Sequence, residues 1–184
     1  MTPDLFRTLV GKASLAPSVH NVQPARWRLD GDRVWLLEDR TVRLPAADPA
    51  GHDAAISLGA AFEGMVMAAT QAGLRVSHER LEANSGDDLC PIASLTFVPC
   101  AKEDALVQHV AARQSWRGCF VAPTDSDRQT AQTLADTDCM AMTDPKSIRG
   151  IAKLVDVASF TFTERDDFRA ELLSCMRLSL GQQN

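Results

Sequence analysis

The sequence lacks a long uninterrupted run of apolar residues. Its most apolar stretch, residues 54–72, is broken by Glu63, Thr70 and Gln71, whereas a membrane-spanning helix needs about 20 predominantly apolar residues. The N-terminal residues show charged side chains beside the first apolar ones and no small-residue cleavage pattern. We therefore expect no membrane partner and a cytoplasmic location.

An excess of positive charge is also missing. The chain of 184 residues has 19 Lys and Arg residues against 24 Asp and Glu residues, which gives a net charge of −5. Binding to a nucleic-acid backbone needs a positive surface, so we expect no nucleic-acid partner. The hydrophobic fraction of 45% and charged fraction of 23% are ordinary for a globular protein, and they exclude disordered and fibrous classes.

Metal-binding and nucleophile signatures are missing as well. The five cysteines show no short metal-binding spacing, and no His and Glu residues pair at metal-ligand spacing. No phosphate loop and no Gly-x-Ser-x-Gly motif occurs. We expect reduced thiols, no metal site and no catalytic side chain. The cysteines are Cys90, Cys100, Cys119, Cys139 and Cys175.

The pattern of apolar and turn residues predicts helices and strands in mixed order. Thr2 is a good N-cap for a helix that begins at Pro3 and is stopped by Pro17, and Asp30-Gly31 is a hairpin signal. The predicted strands are 26–29, 33–37, 74–81, 92–98 and 139–142. The further predicted helices are 53–72, 103–113, 125–135, 145–160 and 165–178. This order predicts an α+β fold with a mostly antiparallel sheet flanked by helices.

The helix predicted at 53–72 carries apolar residues around much of its circumference. A helix of this kind is buried on more than one side, and a chain of this length has limited core in which to bury it. We therefore expect a homodimer with a total buried area above about 1,000 Å². In a longer polypeptide the same surface would pair within one chain.

Polar side chains are concentrated in the loop between the first predicted helix and the first strand. Prolines hold such a backbone extended, and the polar groups offer donors and acceptors to a planar heterocycle. A rigid turn whose Asn and Ser side chains bond their own backbone is the alternative. The loop contains Pro17, Ser18, His20, Asn21, Gln23 and Pro24.

A second candidate site follows the helix predicted at 103–113. Arg113 and Arg117 are four residues apart with Ser115 between them. Two arginines at this spacing can bind one phosphate with the hydroxyl group. A basic helix terminus that complements the helix dipole is the alternative.

The loop resembles the signature of the nitroreductase family of flavoproteins, Pro-Ser-x-x-Asn-x-Gln-Pro-Trp. The matching residues are Pro17, Ser18, Asn21, Gln23 and Pro24, and Ala25 stands where the family has Trp. The runs 48–53, 56–61 and 168–177 resemble the Acg-like, dormancy-associated branch of that family. The resemblance therefore covers nearly the whole chain.

The resemblance implies a nitroreductase-like layered fold that binds FMN. Pro17, Ser18, Asn21 and Gln23 would lie at the flavin, and His20, which departs from the commonest pattern, would either contact the ring or serve the loop alone. The family's phosphate motif is Arg-x-Ser-x-Arg, which matches Arg113, Ser115 and Arg117. No side chain is expected to act as a catalytic acid or base, because the flavin carries the redox chemistry.

The branch is often a tandem of two nitroreductase-like halves. By resemblance, residues 1–112 are a first half, and residues 113–184 are the start of a second half or a C-terminal helical extension; a single domain 1–184 is the alternative. The expected function is an FMN-dependent oxidoreductase that passes electrons from NAD(P)H to a nitro-aromatic, a quinone or a similar small aromatic acceptor. The alternative is a catalytically silent flavin-binding, flavin-sequestering or scaffold protein of the same fold.

Overall fold

The computed structural model describes residues 1–82, 86–100, 105–116, 118–135 and 138–176. They form two compact units, of which the first contains Met1–Arg113 and the described residues of Ala170–Asn184. The second unit is Gln114–Arg169. The chain thus leaves the first unit after Arg113 and returns to it at Ala170, while the division into two family-related halves stays a prediction.

Four antiparallel strands form the sheet of the first unit. They are β1 (Ala25–Asp30), β2 (Arg33–Asp39), β3 (Leu74–Arg80) and β4 (Leu89–Pro99), in the spatial order β1-β2-β4-β3. Asp30 pairs with Arg33 across a two-residue turn, where Gly31 has a φ of 60°. Glycine adopts this left-handed conformation without steric cost. The predicted hairpin and the predicted antiparallel α+β fold are confirmed.

Two helices pack on one face of this sheet. Helix α1 (Pro3–Ala13) begins at Thr2, whose Oγ1 accepts a hydrogen bond of 3.3 Å from the Leu5 amide. Helix α2 (His52–Gln71) ends before Gly73, which has a φ of 72° and closes the helix in the left-handed conformation. Both predicted helices are confirmed.

The hydrophobic core lies between the two helices and the sheet. Each large apolar side chain buried there contributes about 1.5–3 kcal/mol. In the first half of strand β2, Val34 and Leu36 are buried in this core on either side of the half-buried Trp35. The second half, residues 37–39, is buried throughout after a register shift between Leu36 and Leu37. The buried core residues are Leu9, Ala13, Val34, Leu36, Leu58, Met65, Ala68, Ala93 and Leu95.

Helices α1 and α2 approach each other closely at Gly64. A β-carbon placed on Gly64 would lie 3.2 Å from both Cα and O of Ala13, whereas one placed on Gly59 would meet no atom within 4 Å. The two glycines of α2 therefore serve different purposes. Gly64 permits the contact between the helices, and Gly59 leaves open space beside the helix.

The later part of the chain is helical. It contains α3 (Asp125–Thr133), α4 (Pro145–Thr163) and α5 (Asp166–Cys175), the last of which crosses from the second unit into the first. Thr124 and Asp127 form a capping box at α3, and the Asp144 carboxylate accepts a 2.7 Å hydrogen bond from the Ser147 amide at α4. These three predicted helices are confirmed; residues 177 and 178 of the last prediction lie outside the described residues.

Two predicted elements are wrong. Within the described part of 103–113 the chain forms only a five-residue 3₁₀ turn, Ala105–His109. Val107 is buried but Leu106 is 58% exposed, so the segment gains too little burial to hold a regular helix. The segment predicted as a strand at 139–142 is irregular, because it pairs with no strand of the described chain and a strand needs such a partner.

Helix α4 exposes a large apolar surface. None of its residues is buried, and Leu154 and Phe160 are 71% and 66% exposed. Helix α2, in contrast, buries one broad side and leaves Ile56 as its most exposed large apolar residue. None of the described helices is both long and apolar enough to span a membrane. The exposed apolar residues of α4 are Ile148, Ile151, Leu154, Val155, Val157, Phe160 and Phe162.

The connection between β2 and α2 is tied to α5 through one carboxylate. Glu171 accepts hydrogen bonds from two consecutive amides, that of Ala46 at 3.0 Å and that of Ala47 at 2.8 Å. Two charge-assisted bonds to backbone amides are stronger than neutral ones. This contact joins residues 46–47 to a segment more than 120 positions later, and both belong to the first unit.

Candidate functional site

The loop between α1 and β1 has an unusual backbone. His20, Asn21 and Gln23 have φ angles of 44°, 58° and 48°, and a 3₁₀ turn covers Val19–Asn21. Residues with a β-carbon rarely adopt such left-handed angles, and each costs about 1–3 kcal/mol unless the surroundings enforce it. Such residues concentrate at ligand-binding sites, so this loop is the first candidate for function.

Hydrogen bonds within the loop, to the end of α1 and to α2 hold the loop in this conformation. The Gln23 amide donates to Ser18 Oγ at 2.9 Å, and Gln23 Nε2 donates to the Ser14 carbonyl at 3.3 Å. The Val19 amide donates to Oγ of Ser57 at 3.1 Å. The loop is therefore attached both to the end of α1 and to α2.

Ser57, like Arg26, lines the pocket beside the loop but was not predicted from the sequence as a site residue. Its hydroxyl is buried on α2, donates to the Asp53 carbonyl at 2.7 Å and accepts from Val19. A serine among the apolar residues of a helix was a possible signal. The sequence does not show, however, which segment such a serine meets 38 positions earlier in the chain.

A pocket of about 350 Å³ lies beside the loop. Pockets for small ligands have volumes of about 300–1,000 Å³, mostly apolar walls and a few polar groups. Apolar residues of α1, β1 and α2 form most of this pocket, and Ser18, Gln23 and Ser57 supply polar groups. The lining residues are Phe6, Val10, Ala13, Ser14, Ala16, Pro17, Ser18, Gln23, Pro24, Ala25, Arg26, Trp27, Ser57 and Ala61.

An ion pair fixes Arg26 at this pocket. Arg26 donates through Nη1 to the Gln23 carbonyl at 2.7 Å, and its Nη2 lies 2.8 Å from the buried carboxylate of Asp39. The Thr41 hydroxyl lowers the pKa of Asp39 most, burial opposes this, and Arg26 lowers the pKa further. Asp39 therefore stays ionised and holds Arg26 in place.

Some of the predicted loop residues line this pocket and others do not. Pro17, Ser18 and Gln23 line the pocket, while His20 and Asn21 lie exposed on the outer part of the loop. The side-chain amide of Asn21 makes no hydrogen bond to any residue that the structure describes. Its donor and acceptor are thus available to a ligand.

The two described residues of the predicted phosphate motif, Arg113 and Ser115, belong to different units. Arg113 belongs to the first unit and donates through Nη2 to the Leu15 carbonyl at 3.0 Å, which places it next to the loop. Ser115 is an exposed residue of the second unit. Arg117 lies outside the described residues. A joint phosphate site of the three residues stays a prediction.

The N-terminus of α2 is already satisfied by a carboxylate of the chain. Asp48 Oδ2 accepts a 2.8 Å hydrogen bond from the Ala54 amide. Desolvation raises the pKa of Asp48, but the amides of residues 52–54 outweigh it, and the pKa is lowered. The positive end of this helix, a common anion site, is therefore occupied by Asp48.

The site fits the ring of a flavin better than its phosphate. The apolar walls of the pocket and its polar groups from Ser18, Gln23 and Ser57 suit a flat heterocycle with polar edges. A phosphate needs clustered positive charge or free amides. In the part of the chain that the structure describes, Arg113 is the member of the predicted arginine pair that lies at the loop, and one of its groups already binds Leu15.

Comparison with known proteins shows the same resemblance. No family model matches the chain. A Mycobacterium tuberculosis (strain H37Rv) protein with the provisional name NAD(P)H nitroreductase acg is 28% identical over 97% of this chain and 50% of its own length. A second protein of that strain, also provisionally named an NAD(P)H nitroreductase, is 31% identical over 59% of this chain and 31% of its own length. The resemblance to nitroreductases is confirmed. The chain spans about half the length of the first relative and about a third of the second.

Solved structures of nitroreductases are also similar to this chain. An FMN-dependent nitroreductase from Clostridium difficile R20291 matches with a TM-score of 0.45 at 10% identity, covering 76% of this chain and 90% of that one. A nitroreductase family protein from Streptococcus pneumoniae TIGR4 matches with a TM-score of 0.45 at 15% identity, covering 68% and 88%.

Proposed function

We propose that this chain forms one flavin-binding part of an FMN-dependent oxidoreductase that passes electrons from NAD(P)H to a nitro-aromatic, a quinone or a similar acceptor. The observation that carries the proposal is the loop at residues 17–24. Three residues there are held at positive φ beside an apolar pocket. The relatives provisionally named NAD(P)H nitroreductases support the same class of reaction.

The chain's own residues would bind and orient the flavin rather than react. Pro17 and Ala61 would shield the ring from water, since both line the pocket. The Asn21 amide would hydrogen-bond a polar edge of the ring, and Arg113 would contribute positive charge beside the loop. The bound flavin would supply the redox chemistry, so no side chain needs an altered proton affinity.

A second candidate function is a catalytically silent flavin-binding protein. It is favoured by the few positive groups that the described residues leave for a phosphate, since Arg113 shares its guanidinium with Leu15 and Asp48 occupies the N-terminus of α2. Such a protein would hold or sequester the flavin without turnover. A homodimer partner, or the remainder of a longer chain, would supply missing phosphate contacts in either case. The cytoplasmic location also stays a prediction.

Titration of the purified chain with FMN, followed by flavin fluorescence, tests the proposal. We expect saturable binding, and we expect Arg113→Ala to weaken it about tenfold because a charge-assisted contact is lost. Arg7→Ala is the matched control, since Arg7 is an exposed arginine of α1 that pairs only with Asp4 among the described residues. Equal affinity of both variants would contradict the role of Arg113.

Anaerobic addition of NADH or NADPH to the flavin-loaded chain separates the two candidate functions. Bleaching of the visible flavin band on either addition supports the oxidoreductase. Bound flavin that neither nucleotide reduces supports the silent protein. A chain that cannot be loaded with FMN at all contradicts both proposals.

A further inference from the structure

A second and larger cleft lies on the other side of α2. It has a volume of about 820 Å³ and shares no lining residue with the pocket beside the loop. The N-terminal half of α2 forms one side, and strands β2, β3 and β4 contribute the other. The lining residues are Leu36, Glu38, Arg43, Ala50, Gly51, Ala55, Leu58, Gly59, Phe62, His78, Arg80, Leu81, Glu82, Ile92 and Ala93.

Small and aromatic side chains shape the apolar part of this cleft. Ala55 and Gly59 are four residues apart and therefore adjacent on one side of α2. Because both side chains are small, they leave space beside the helix backbone. A β-carbon on Gly59 would meet nothing within 4 Å. Phe62 and His78 meet edge-to-face with ring centroids 4.8 Å apart. The space between these small residues, the sheet and the aromatic pair suits a flat aromatic ring.

The polar part of the cleft contains a buried carboxylate with two arginines. The Glu38 side chain is 7% exposed, and Arg43 binds it twice, through Nε at 2.7 Å and Nη2 at 2.9 Å. Arg40 Nε lies 3.4 Å from the same carboxylate. One negative charge is thus shared by two positive ones, and the fork onto Glu38 fixes the Arg43 guanidinium in one orientation.

Unsatisfied positive groups remain at this polar part. Nη1 of Arg43 makes no hydrogen bond to the described residues. The Arg80 guanidinium forms neither a hydrogen bond nor an ion pair with any residue that the structure describes. Alternation along β3 places Arg80 on the same face as His78. Two arginines, Arg43 and Arg80, and two glutamates, Glu38 and Glu82, line the described cleft. Because Glu38 is bound by Arg43 and Arg40, Arg80 is the lining arginine that stays available to an anionic ligand.

We propose that this cleft binds a small aromatic carboxylate. The ring would lie between α2 and the sheet, and the carboxylate would pair with Arg80 and with the remaining N–H groups of Arg43. Apolar walls with a few fixed polar groups are typical of small-molecule sites of this volume. The site is independent of the flavin pocket and of the oxidoreductase function.

Titration calorimetry with 2-naphthoate tests this site, with the neutral isostere 2-naphthylmethanol for comparison. We expect naphthoate to bind saturably, more tightly than the alcohol, and less tightly as salt is added. Arg80→Gln should weaken naphthoate binding about tenfold. Arg75→Gln is the matched control, because Arg75 lies on the same strand at an odd position and on the opposite face; its effect should stay within about twofold.

A second pair of variants tests the apolar part of the cleft. Gly59→Leu fills it and should abolish binding, whereas Gly11→Leu adds the same side chain at an open position of α1 and should leave the affinity unchanged. Circular dichroism establishes that each variant is folded. If Gly59→Leu does not fold, Arg80→Gln decides alone.

Three results would overturn the proposal. They are the absence of saturable naphthoate binding, equal affinity for the acid and the alcohol, and unchanged affinity in Arg80→Gln. Analytical ultracentrifugation of the wild-type chain and of Gly59→Leu tests whether a second copy of the chain covers the cleft instead. If Gly59→Leu dissociates a dimer, a second copy of the chain covers the cleft and the small-molecule site is wrong.

Discussion

Ser57 attaches the candidate flavin loop to α2 through one hydroxyl group. Ser57→Ala removes the acceptor of the Val19 amide, and an unsatisfied donor in a partly buried place costs about 1–3 kcal/mol. We expect the free energy of unfolding to fall by about this amount in urea titration, together with weaker FMN binding. Ser77→Ala on the exposed face of β3 is the control, with an expected change within about 0.5 kcal/mol. Equal effects of the two variants would show that the Ser57 contact does not hold the loop.

Variants of Asn21 distinguish the role of its backbone conformation from the role of its side-chain amide. Its φ of 58° suits glycine, so Asn21→Gly should keep the fold within about 0.5 kcal/mol. The same variant removes the amide and should weaken FMN binding. Leucine has no polar side chain that hydrogen-bonds locally in the left-handed conformation, so Asn21→Leu should lower the free energy of unfolding by about 1 kcal/mol. Unchanged flavin affinity in a folded Asn21→Gly protein would leave the loop with a structural role only.

Glu38 makes stability depend on acid pH. Burial raises its pKa, but hydrogen bonds and charges from Arg43 and Arg40 outweigh burial, and the pKa of Glu38 lies below its ordinary value. A carboxyl group with a lowered folded pKa stabilises the protein above its unfolded pKa, and this contribution is lost as pH falls through the folded value. We expect Glu38→Gln to lose stability mainly near neutral pH and to have a shallower acid transition.

The measurement for Glu38 is the urea midpoint at a series of pH values from neutral to acid. Glu63→Gln, an exposed carboxyl of α2 that has no hydrogen-bond partner in the described chain, should follow the wild-type profile. Parallel profiles of wild type and Glu38→Gln would show that the ion pair does not contribute to acid sensitivity.

At positions that local chemistry singles out, the sequence predicted residues that line the pocket, while their role in binding a ligand stays a prediction. Pro17, Ser18 and Gln23 were chosen for their polar and rigid character, and the structure places all three at one pocket. Ser57 and Arg26 also belong to that pocket but depend on contacts with distant residues, Val19 and Asp39. Such contacts follow from how α2 and β2 pack, which local pattern does not specify.

At the scale of elements, the two glycines of α2 give opposite predictions. Gly59→Ala should raise the free energy of unfolding by about 0.5–1 kcal/mol, because alanine favours a helix and the new β-carbon meets open space. Gly64→Ala should lower it by about 1 kcal/mol, because its β-carbon would press on the Ala13 backbone at 3.2 Å. Thermal or urea unfolding of the pair measures this. A similar gain in both variants would contradict the close packing of α1 and α2.

Elements with local start and stop signals were predictable from the sequence. Thr2-Pro3 and Asp144-Pro145 mark helix starts, and Asp30-Gly31 marks a hairpin, all of which the structure confirms. The 3₁₀ turn Ala105–His109 was mistaken for part of a longer helix. Its apolar spacing was helical, but a helix also needs a surface that buries it, and the sequence does not show that surface.

At the scale of the whole molecule, the sequence placed the dimer contact on the helix at 53–72, but α2 buries its apolar side within the first unit whereas α4 leaves its apolar residues exposed. We therefore expect assembly to depend on α4. Contiguous exposed apolar areas of this kind mark interaction sites. We expect the chain to form a homodimer and Leu154→Lys to shift it toward monomer in analytical ultracentrifugation. Lys153→Gln, a polar change on the same helix, should leave the dimer intact. A wild-type chain that stays monomeric at high micromolar concentration would contradict the predicted dimer.

The Glu171 contact has a consequence for the order of events during synthesis. Residues 46–47 emerge from the ribosome long before the carboxylate that satisfies their amides. While the second unit is translated, the amides of Ala46 and Ala47 lack their carboxylate partner and are hydrogen-bonded to water. In a stalled nascent chain that ends at Arg113, hydrogen exchange at Ala46 and Ala47 should be much faster than in the chain of 184 residues. Helix α5, made more than 120 residues later, thus completes the connection that precedes α2.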